Sequence, residues 1–533
     1  MNIIFLSSIV ILYLIITAFL GYLGFRQTKS ATDYLLAGRK VHPVIMAISY
    51  GATFISTSAI VGFSGASAVY GMGILWLTFL NIIIGIFIAF AIFGKRTRKM
   101  GHNLDAHTFP EFIGKRYDSK FLQMFSGLLI FLVMPLYAGS VIFGGAQFIT
   151  ETLKINYDVA LLFFVSIVAV YVVMGGLKGV MYTDAFQGAI MFVGMAILLI
   201  FTYSKLGGVV QAHTSLTSLK PEAVRLFGAL GHQGWTSMPK TGSVLWWQLV
   251  STIIMGVGIG VLAQPQLIVR FMTVKSNREL NRAVLVGGIF ILTMTGVAYI
   301  VGSLSNVYFN NTLGKVAFLA VQKKTDNILP LFINIAMPSW FTAVFMVTLL
   351  AAAMSTLSSQ FHTMGSAFGR DFLEKGIGFR KGNSLVNTKI AMCVTIVISA
   401  FIAYALPHFF EQGTAIIAIG TAIFFGICAA SFLPIYFGAL YLKSFTKAGA
   451  IACFLSGFLT STFWICFVHI KESKPLGLCR MLFNVDSLFS SAQLQNIDPI
   501  VVALPVSILC TIVVSLFTKP PKQSHIDVAF KGL

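Results

Sequence analysis

The run Ala352-Ala353-Met354-Ser355-Thr356-Leu357-Ser358-Ser359 places four hydroxyls within five positions of an otherwise apolar stretch. Ala352, Ser355 and Thr356 follow the i, i+3, i+4 spacing that gathers residues on one helical face. Ser358 and Ser359 repeat the same step from Ser355, so two oxygen clusters about one turn apart share that residue. A small, hard cation needs several oxygen ligands. Neutral hydroxyls and carbonyls freed from a broken helix supply them without a buried compensating anion. A single serine in such a helix more commonly bonds back to the i−4 carbonyl or packs against a neighbour. Four hydroxyls beside three consecutive alanines favour an ion site.

Asp184, in Met181-Tyr182-Thr183-Asp184-Ala185-Phe186-Gln187-Gly188, is the acidic residue best placed for membrane depth. An intramembrane carboxylate marks function by default, but an aspartate at the start of a helix also serves as a cap. Position alone weighs the two equally, and facing Ser355, Ser358 and Ser359 would favour the ion. No enzyme constellation competes. The histidines His42, His102, His107, His362 and His408 sit at span ends or in loops without ligand spacing. No Gly-x-x-x-x-Gly-Lys-Ser/Thr loop is present to cradle a nucleotide.

The elements that must hold these residues are membrane helices. Of 533 residues, 10% are charged and 57% hydrophobic, too little charge to cover a soluble protein of this size. The net charge of +20 is spread over short loops between apolar spans, which excludes a nucleic-acid-binding face. The six cysteines have no pairing or metal spacing and read as packing residues. The apolar stretch from Ile3 to Gly24 lacks a preceding basic segment and a cleavage site, so it reads as a retained first helix.

Thirteen spans are expected, near 2–24, 43–70, 72–94, 121–149, 157–175, 182–203, 243–269, 283–308, 338–366, 388–408, 414–440, 447–470 and 497–518. Of the 37 Lys and Arg, 26 fall in one alternating set of loops and span ends and 11 in the other, with none left in the membrane interior. The positive-inside rule then places the N-terminus outside and the C-terminus in the cytoplasm of a cell (inner or plasma) membrane. The second span carries Gly51, Thr53, Ser56, Thr57, Ser58 and Gly62; the seventh carries Gly256, Gly258, Gly260 and Gln264-Pro265-Gln266. Such residues loosen the helical ladder, which lipid tolerates only where the freed carbonyls face protein or a cavity. The two interrupted spans lie five apart, each opening a block of five, and an odd block length inverts one repeat against the other. Matched interruptions in two halves point to a transporter's binding site.

Four segments carry a resemblance: Ala31-Thr32-Asp33-Tyr34-Leu35-Leu36-Ala37-Gly38-Arg39, Thr108-Phe109-Pro110-Glu111-Phe112-Ile113-Gly114-Lys115-Arg116-Tyr117, Tyr182 to Gln187, and Ala352 to Ser359 with Phe368-Gly369-Arg370-Asp371. Through them nearly the whole chain resembles the sodium:solute symporter family of proline, pantothenate, monocarboxylate and glucose cotransporters. The resemblance implies an all-α integral membrane protein with a five-plus-five inverted-repeat core of the leucine transporter type. Its parts would be an extra helix and inner loop (1–42), two repeats (43–203 and 243–440), an outer loop (204–242), and two extra helices with a cytoplasmic tail (441–533). It implies a sodium ion held by the carbonyls of Ala52, Ile55 and Ala352 and the hydroxyls of Ser355 and Thr356. A second sodium would lie at Asp184, Ser355, Ser358 and Ser359.

The implied activity is sodium-coupled symport of a small-molecule substrate across the lipid bilayer: a monocarboxylate, a vitamin-type acid or an amino acid. A sugar or polyol symporter, or a membrane sensor on this scaffold, are the alternatives. Where proline carriers have an aspartate, a tryptophan and a tyrosine, this chain has Phe54, Val257 and Val261; the sugar carriers' glutamine and tyrosine become Ala59 and Gly260. Neither proline nor a sugar is favoured. The substrate pocket is expected at Thr53, Ser56, Thr57, Tyr137, Ser140 and Gln264, with no arginine at mid-membrane.

Overall fold

The computed structural model describes residues 3–379, 384–409 and 416–533. The expected loop 409–413 and the loop cations Arg380 and Lys381 fall almost wholly outside them. Every regular element among the described residues is helical. Helix α1 spans Ile3–Gln27. A broken pair follows, α2 (Pro43–Phe54) and α3 (Ser58–Tyr70), bent by 57°. Next come α4 (Met72–Asn103), α5 (Lys120–Leu153) and α6 (Tyr157–Lys205). The second interrupted span is α7 (Val244–Ala263) with α8 (Pro265–Phe271). Beyond it lie α9 (Asn277–Leu313), α10 (Ser339–Ile377), α11 (Ser384–Phe409), α12 (Ile416–Tyr441), α13 (Lys447–Phe467) and α14 (Pro499–Leu516).

Eleven of these helices are long and apolar enough to cross a membrane, or twelve when the bent pair counts as one span. The fifth expected span (157–175) is matched by a shorter apolar helix, Tyr157–Ala169, and the chain passes into the next helix through a break at Gly176. There the backbone takes φ 59° and ψ 175°, a conformation essentially reserved for glycine. A Cβ at this position would also stand 2.8 Å from the Tyr34 ring.

Both interruptions have local causes. At the first, the Ser56 hydroxyl accepts the Ser58 N–H at 3.1 Å, offering the backbone a partner other than the helical ladder. Ile55 is consequently extended, at φ −89° and ψ 102°. At the second, Pro265 disfavours the helical region for the residue before it, and Gln264 lies at φ −74° and ψ 113°. Pro43 and Pro265 both occupy the first turn of their helices, where the missing N–H costs nothing.

Burial ranks the helices. About 94% of the apolar window of α10 and 89% of that of α12 lie inside the bundle, against 22% for α1 and 28% for α14. The hydroxyls of α10 therefore face protein, whereas α1 and α14 leave most of their apolar windows outside the bundle. Gly188 on α6 lets α2 approach closely, since a Cβ there would meet Ile48 at 2.4 Å. That contact brings Asp184, one turn earlier, against α2.

Outside the spans, the helix Phe109–Arg116 ties the loop after α4 to the end of α10. Its Glu111 is buried and pairs with Lys115 at 3.0 Å and Arg370 at 3.1 Å, while accepting the His107 N–H at 3.0 Å. Burial pushes the Glu111 carboxyl up, but His107, Arg370 and Lys115 together outweigh it and bring it down to about 2.

Candidate functional site

Two oxygen clusters meet where α10 crosses the break between α2 and α3. In the first, the Ser355 hydroxyl donates to the Ala52 carbonyl at 2.9 Å and lies 3.1 Å from that of Ala352. The Thr356 hydroxyl reaches the Thr53 carbonyl at 3.1 Å and the Ala52 carbonyl at 3.5 Å. Ile55 stands at the break itself, its N–H on the Gly51 carbonyl at 2.8 Å. All five of Ala52, Ile55, Ala352, Ser355 and Thr356 are buried. The expected ligands are thus gathered between the two elements, and every donor in the set is a neutral oxygen. Such a set fits a hard monovalent cation, because the hydroxyls can turn their hydrogens away and present lone pairs.

The second cluster surrounds Asp184. Its Oδ2 accepts the Ser49 hydroxyl at 2.9 Å, the Thr53 hydroxyl at 3.2 Å and the Ser359 hydroxyl at 3.4 Å. Its Oδ1 accepts the Ser358 hydroxyl at 3.3 Å. Asp184 is fully buried within the helical segment Gly176–Lys205, beyond its first turn, so it caps no helix end. It faces Ser358 and Ser359 directly; the Ser355 hydroxyl points to the first cluster instead.

Arg270, placed by the sequence reading in a loop just beyond the seventh span, is instead buried inside the bundle. Its Nη2 lies 2.8 Å from Asp184 Oδ2 and 2.6 Å from the Ser359 hydroxyl, and also meets Thr53. Its Nε bonds Ser49 at 3.1 Å and its Nη1 bonds the Gln266 carbonyl at 2.7 Å. The guanidinium and the carboxylate are 1% and 0% exposed. A buried charge without its partner costs about 3–5 kcal/mol, so each of the two holds the other in place. Hydropathy set Arg270 at the edge of a loop; the break before Pro265 sends α8 back into the bundle and carries the arginine with it.

A small cavity lies on the other side of the α2–α3 break. Of the six residues expected at the substrate, Ser56 and Tyr137 line it, with the Tyr137 hydroxyl 3.4 Å from that of Ser56. The other four turn elsewhere. Thr53 belongs to the Asp184 cluster, and the Thr57 hydroxyl bonds the Val141 carbonyl at 2.8 Å. Ser140 bonds the Leu136 carbonyl at 3.0 Å, and Gln264 bonds the Gly260 carbonyl at 3.2 Å and Gln266 at 3.0 Å.

Asn81, Thr295 and Thr421 line the cavity and were not singled out from the sequence. The aromatic wall is formed by Phe54, Phe63, Tyr299 and Phe425, and no charged side chain contributes. Thr295 and Thr421 spend their hydrogens on carbonyls one turn back. Asn81 is 1% exposed and its Oδ1 has no partner, which a buried carboxamide tolerates poorly. The sequence signal was a lone amide inside an otherwise apolar span. In this conformation the cavity measures about 10 Å³, room for roughly one water. Admitting a solute requires the surrounding helices to separate.

Residues 34–457 match the sequence profile described as the sodium:solute symporter family. A sodium/proline symporter of Staphylococcus aureus (strain bovine RF122 / ET3-1) is 30% identical over 521 residues, covering 96% of this chain and 92% of that one. The sodium/proline symporter of Staphylococcus aureus strain JH9 is 29% identical over 519 residues, with the same coverage. Among solved structures, a Na+-coupled sialic acid symporter in a substrate-bound, outward-open state superimposes with a TM-score of 0.75 at 18% identity, over 97% of this chain and 98% of that one. Mhp1, a nucleobase-cation-symport-1 family transporter in a closed conformation, superimposes with a TM-score of 0.51 at 13% identity, over 94% and 99%. Both are similar to this chain in fold.

Proposed function

Since the chain belongs to the sodium:solute symporter family, we propose that it uses an inward sodium gradient to import a small organic solute. One observation carries this reading: the Ser355 and Thr356 hydroxyls of α10 reach the Ala52 and Thr53 carbonyls at the broken end of α2. A sodium ion among these oxygens and that of Ile55 would tie α10 to the break, and the same break forms one wall of the solute cavity. Ion and solute thereby favour the same arrangement of α2 and α3, which is all that coupling requires.

Asp184, Ser358 and Ser359 form a second cation position, which Arg270 and sodium use in turn. The pocket holds one carboxylate, and two cations beside it would leave an uncompensated buried charge. With Arg270 seated, one sodium accompanies each solute. When Arg270 withdraws, Asp184 can accept a second ion or receive the first on its way out.

The solute is a monocarboxylate, a vitamin-type acid or an amino acid. The cavity offers hydroxyls and the Asn81 carboxamide between aromatic walls. An acid's charge would meet the sodium and the N-terminal end of α3, where the helix dipole favours an anion. Phe54 and Val257 stand in the cavity wall, so a solute other than proline fits better than the relatives' names suggest. With buried Arg270 set aside, the loop charges, 25 against 11, support an N-terminus outside and a C-terminus in the cytoplasm. Binding of ²²Na⁺ to the purified protein tests the ion site: Ser355→Ala should abolish saturable binding while the protein stays monodisperse, and unchanged binding would reject the assignment.

A further inference from the structure

A crevice of about 490 Å³ lies between α1 and α6. Its shape follows from glycines. Near the end of α1 the two helices touch backbone to backbone, with an added Cβ on Gly24 only 2.2 Å from the Gly179 Cα. The adjacent break at Gly176 turns α6, so the helices part beyond that contact. Leu14, Ala18 and Phe25 of α1 then face Phe163 and Ile167 of α6 across a gap, with Met354 of α10 at its floor. Protein interiors hold few voids larger than a water molecule, and this one is mostly apolar, with the hydroxyl residues Thr17 and Ser166 in its lining, and opens at the exposed surface of the bundle. Phe25 and Phe163, at its rim, are 47% and 51% exposed. A hydrocarbon chain is the occupant this environment supplies.

The rim near Gly24 is basic. Arg26 lies in the last turn of α1, next to Phe25, and makes no ion pair among the described residues. Lys178 precedes Gly179 on the facing helix, and Lys29 follows α1. The Asp33 carboxylate, which accepts from Ser30 and the Lys29 N–H, also lies within electrostatic reach of Lys178, so one acid stands against three cations. The charge left over is positive and sits where a lipid headgroup would lie.

We propose that this crevice binds an anionic phospholipid, with an acyl chain against Met354 and the phosphate between Arg26 and Lys178. The site has a route to the ion clusters. Met354 directly precedes Ser355, and its sulfur accepts the Tyr13 hydroxyl at 3.4 Å. Tyr13 in turn accepts from Gln187 at 2.9 Å, one turn beyond Asp184. A seated lipid would brace α1 against the helices that carry both clusters.

Native mass spectrometry of the delipidated full chain, titrated with phosphatidylglycerol or with phosphatidylcholine of identical chains, tests this. One phosphatidylglycerol should be retained with a preference of about tenfold or more, from roughly fivefold per basic residue at a membrane surface. The pair Arg26→Gln and Lys178→Gln should remove the preference. Ala18→Trp, or Leu14→Trp if the first fails to fold, should fill the crevice and reduce retention of both lipids. Equal retention of the two lipids by the wild type would overturn the headgroup assignment. Undiminished retention by a well-folded tryptophan variant would overturn the crevice itself.

Discussion

Arg270 and Asp184 form a fully buried ion pair, Nη2 to Oδ2 2.8 Å, inside the oxygen cluster that the sequence marks for a cation. The guanidinium contacts Ser49, Thr53 and Ser359 as well, so it satisfies most of what a sodium ion would find there.

Removing either partner should be costly and removing both should be mild. Asp184→Asn and Arg270→Gln are each expected to destabilise the protein by about 3–5 kcal/mol in potassium buffer, because each leaves a buried charge unpaired. The double variant should recover much of that loss, giving a large coupling term in the cycle. Sodium should restore stability to Arg270→Gln and raise its ²²Na⁺ stoichiometry above that of the wild type. Additive losses in the cycle, or identical sodium binding, would dissociate Arg270 from the cation position.

Asn81→Ala should weaken solute binding without touching sodium. The carboxamide lines the cavity and its Oδ1 has no protein partner, and one lost hydrogen bond to a solute is worth about 1 kcal/mol, or roughly fivefold in affinity. The reading is the solute KM alongside ²²Na⁺ affinity measured without solute. A change in sodium affinity alone would place Asn81 with the ion sites.

Glu111 supplies a pH dependence of known sign. Its folded value, about 2, lies below the ordinary 4.5. The clamp therefore contributes its full stability above about 4.5 and loses it as the pH falls toward 2. Glu111→Gln should lower the apparent Tm at pH 7, and the gap to wild type should narrow steadily between pH 4.5 and 3. A gap that is constant across that range would mean the carboxylate charge is not what holds Arg370.

The sequence and the structure agree most closely on α10 and least on the short segments beside the breaks. Ser355, Thr356, Ser358 and Ser359 lie on one long helix, whose fixed period lets spacing predict which face they share. The period says nothing across a break. Thr53, near the end of α2, and Ser56, in the break before α3, point to different sites. Arg270 was hidden for a related reason: a cation just after an apolar stretch looks like a loop residue until Pro265 turns its helix inward. Asn81 had no partner spacing to betray it, because a residue that recognises a solute takes its partner from outside the chain.

The most direct test of the account is uptake by proteoliposomes of a panel of labelled monocarboxylates, vitamin-type acids and amino acids, proline included, with sodium or potassium outside. The account predicts that at least one accumulates above equilibrium only under an inward sodium gradient, collapses when the gradient is dissipated, and is lost in Ser355→Ala. Uptake by the wild type that proceeds equally in potassium would contradict it.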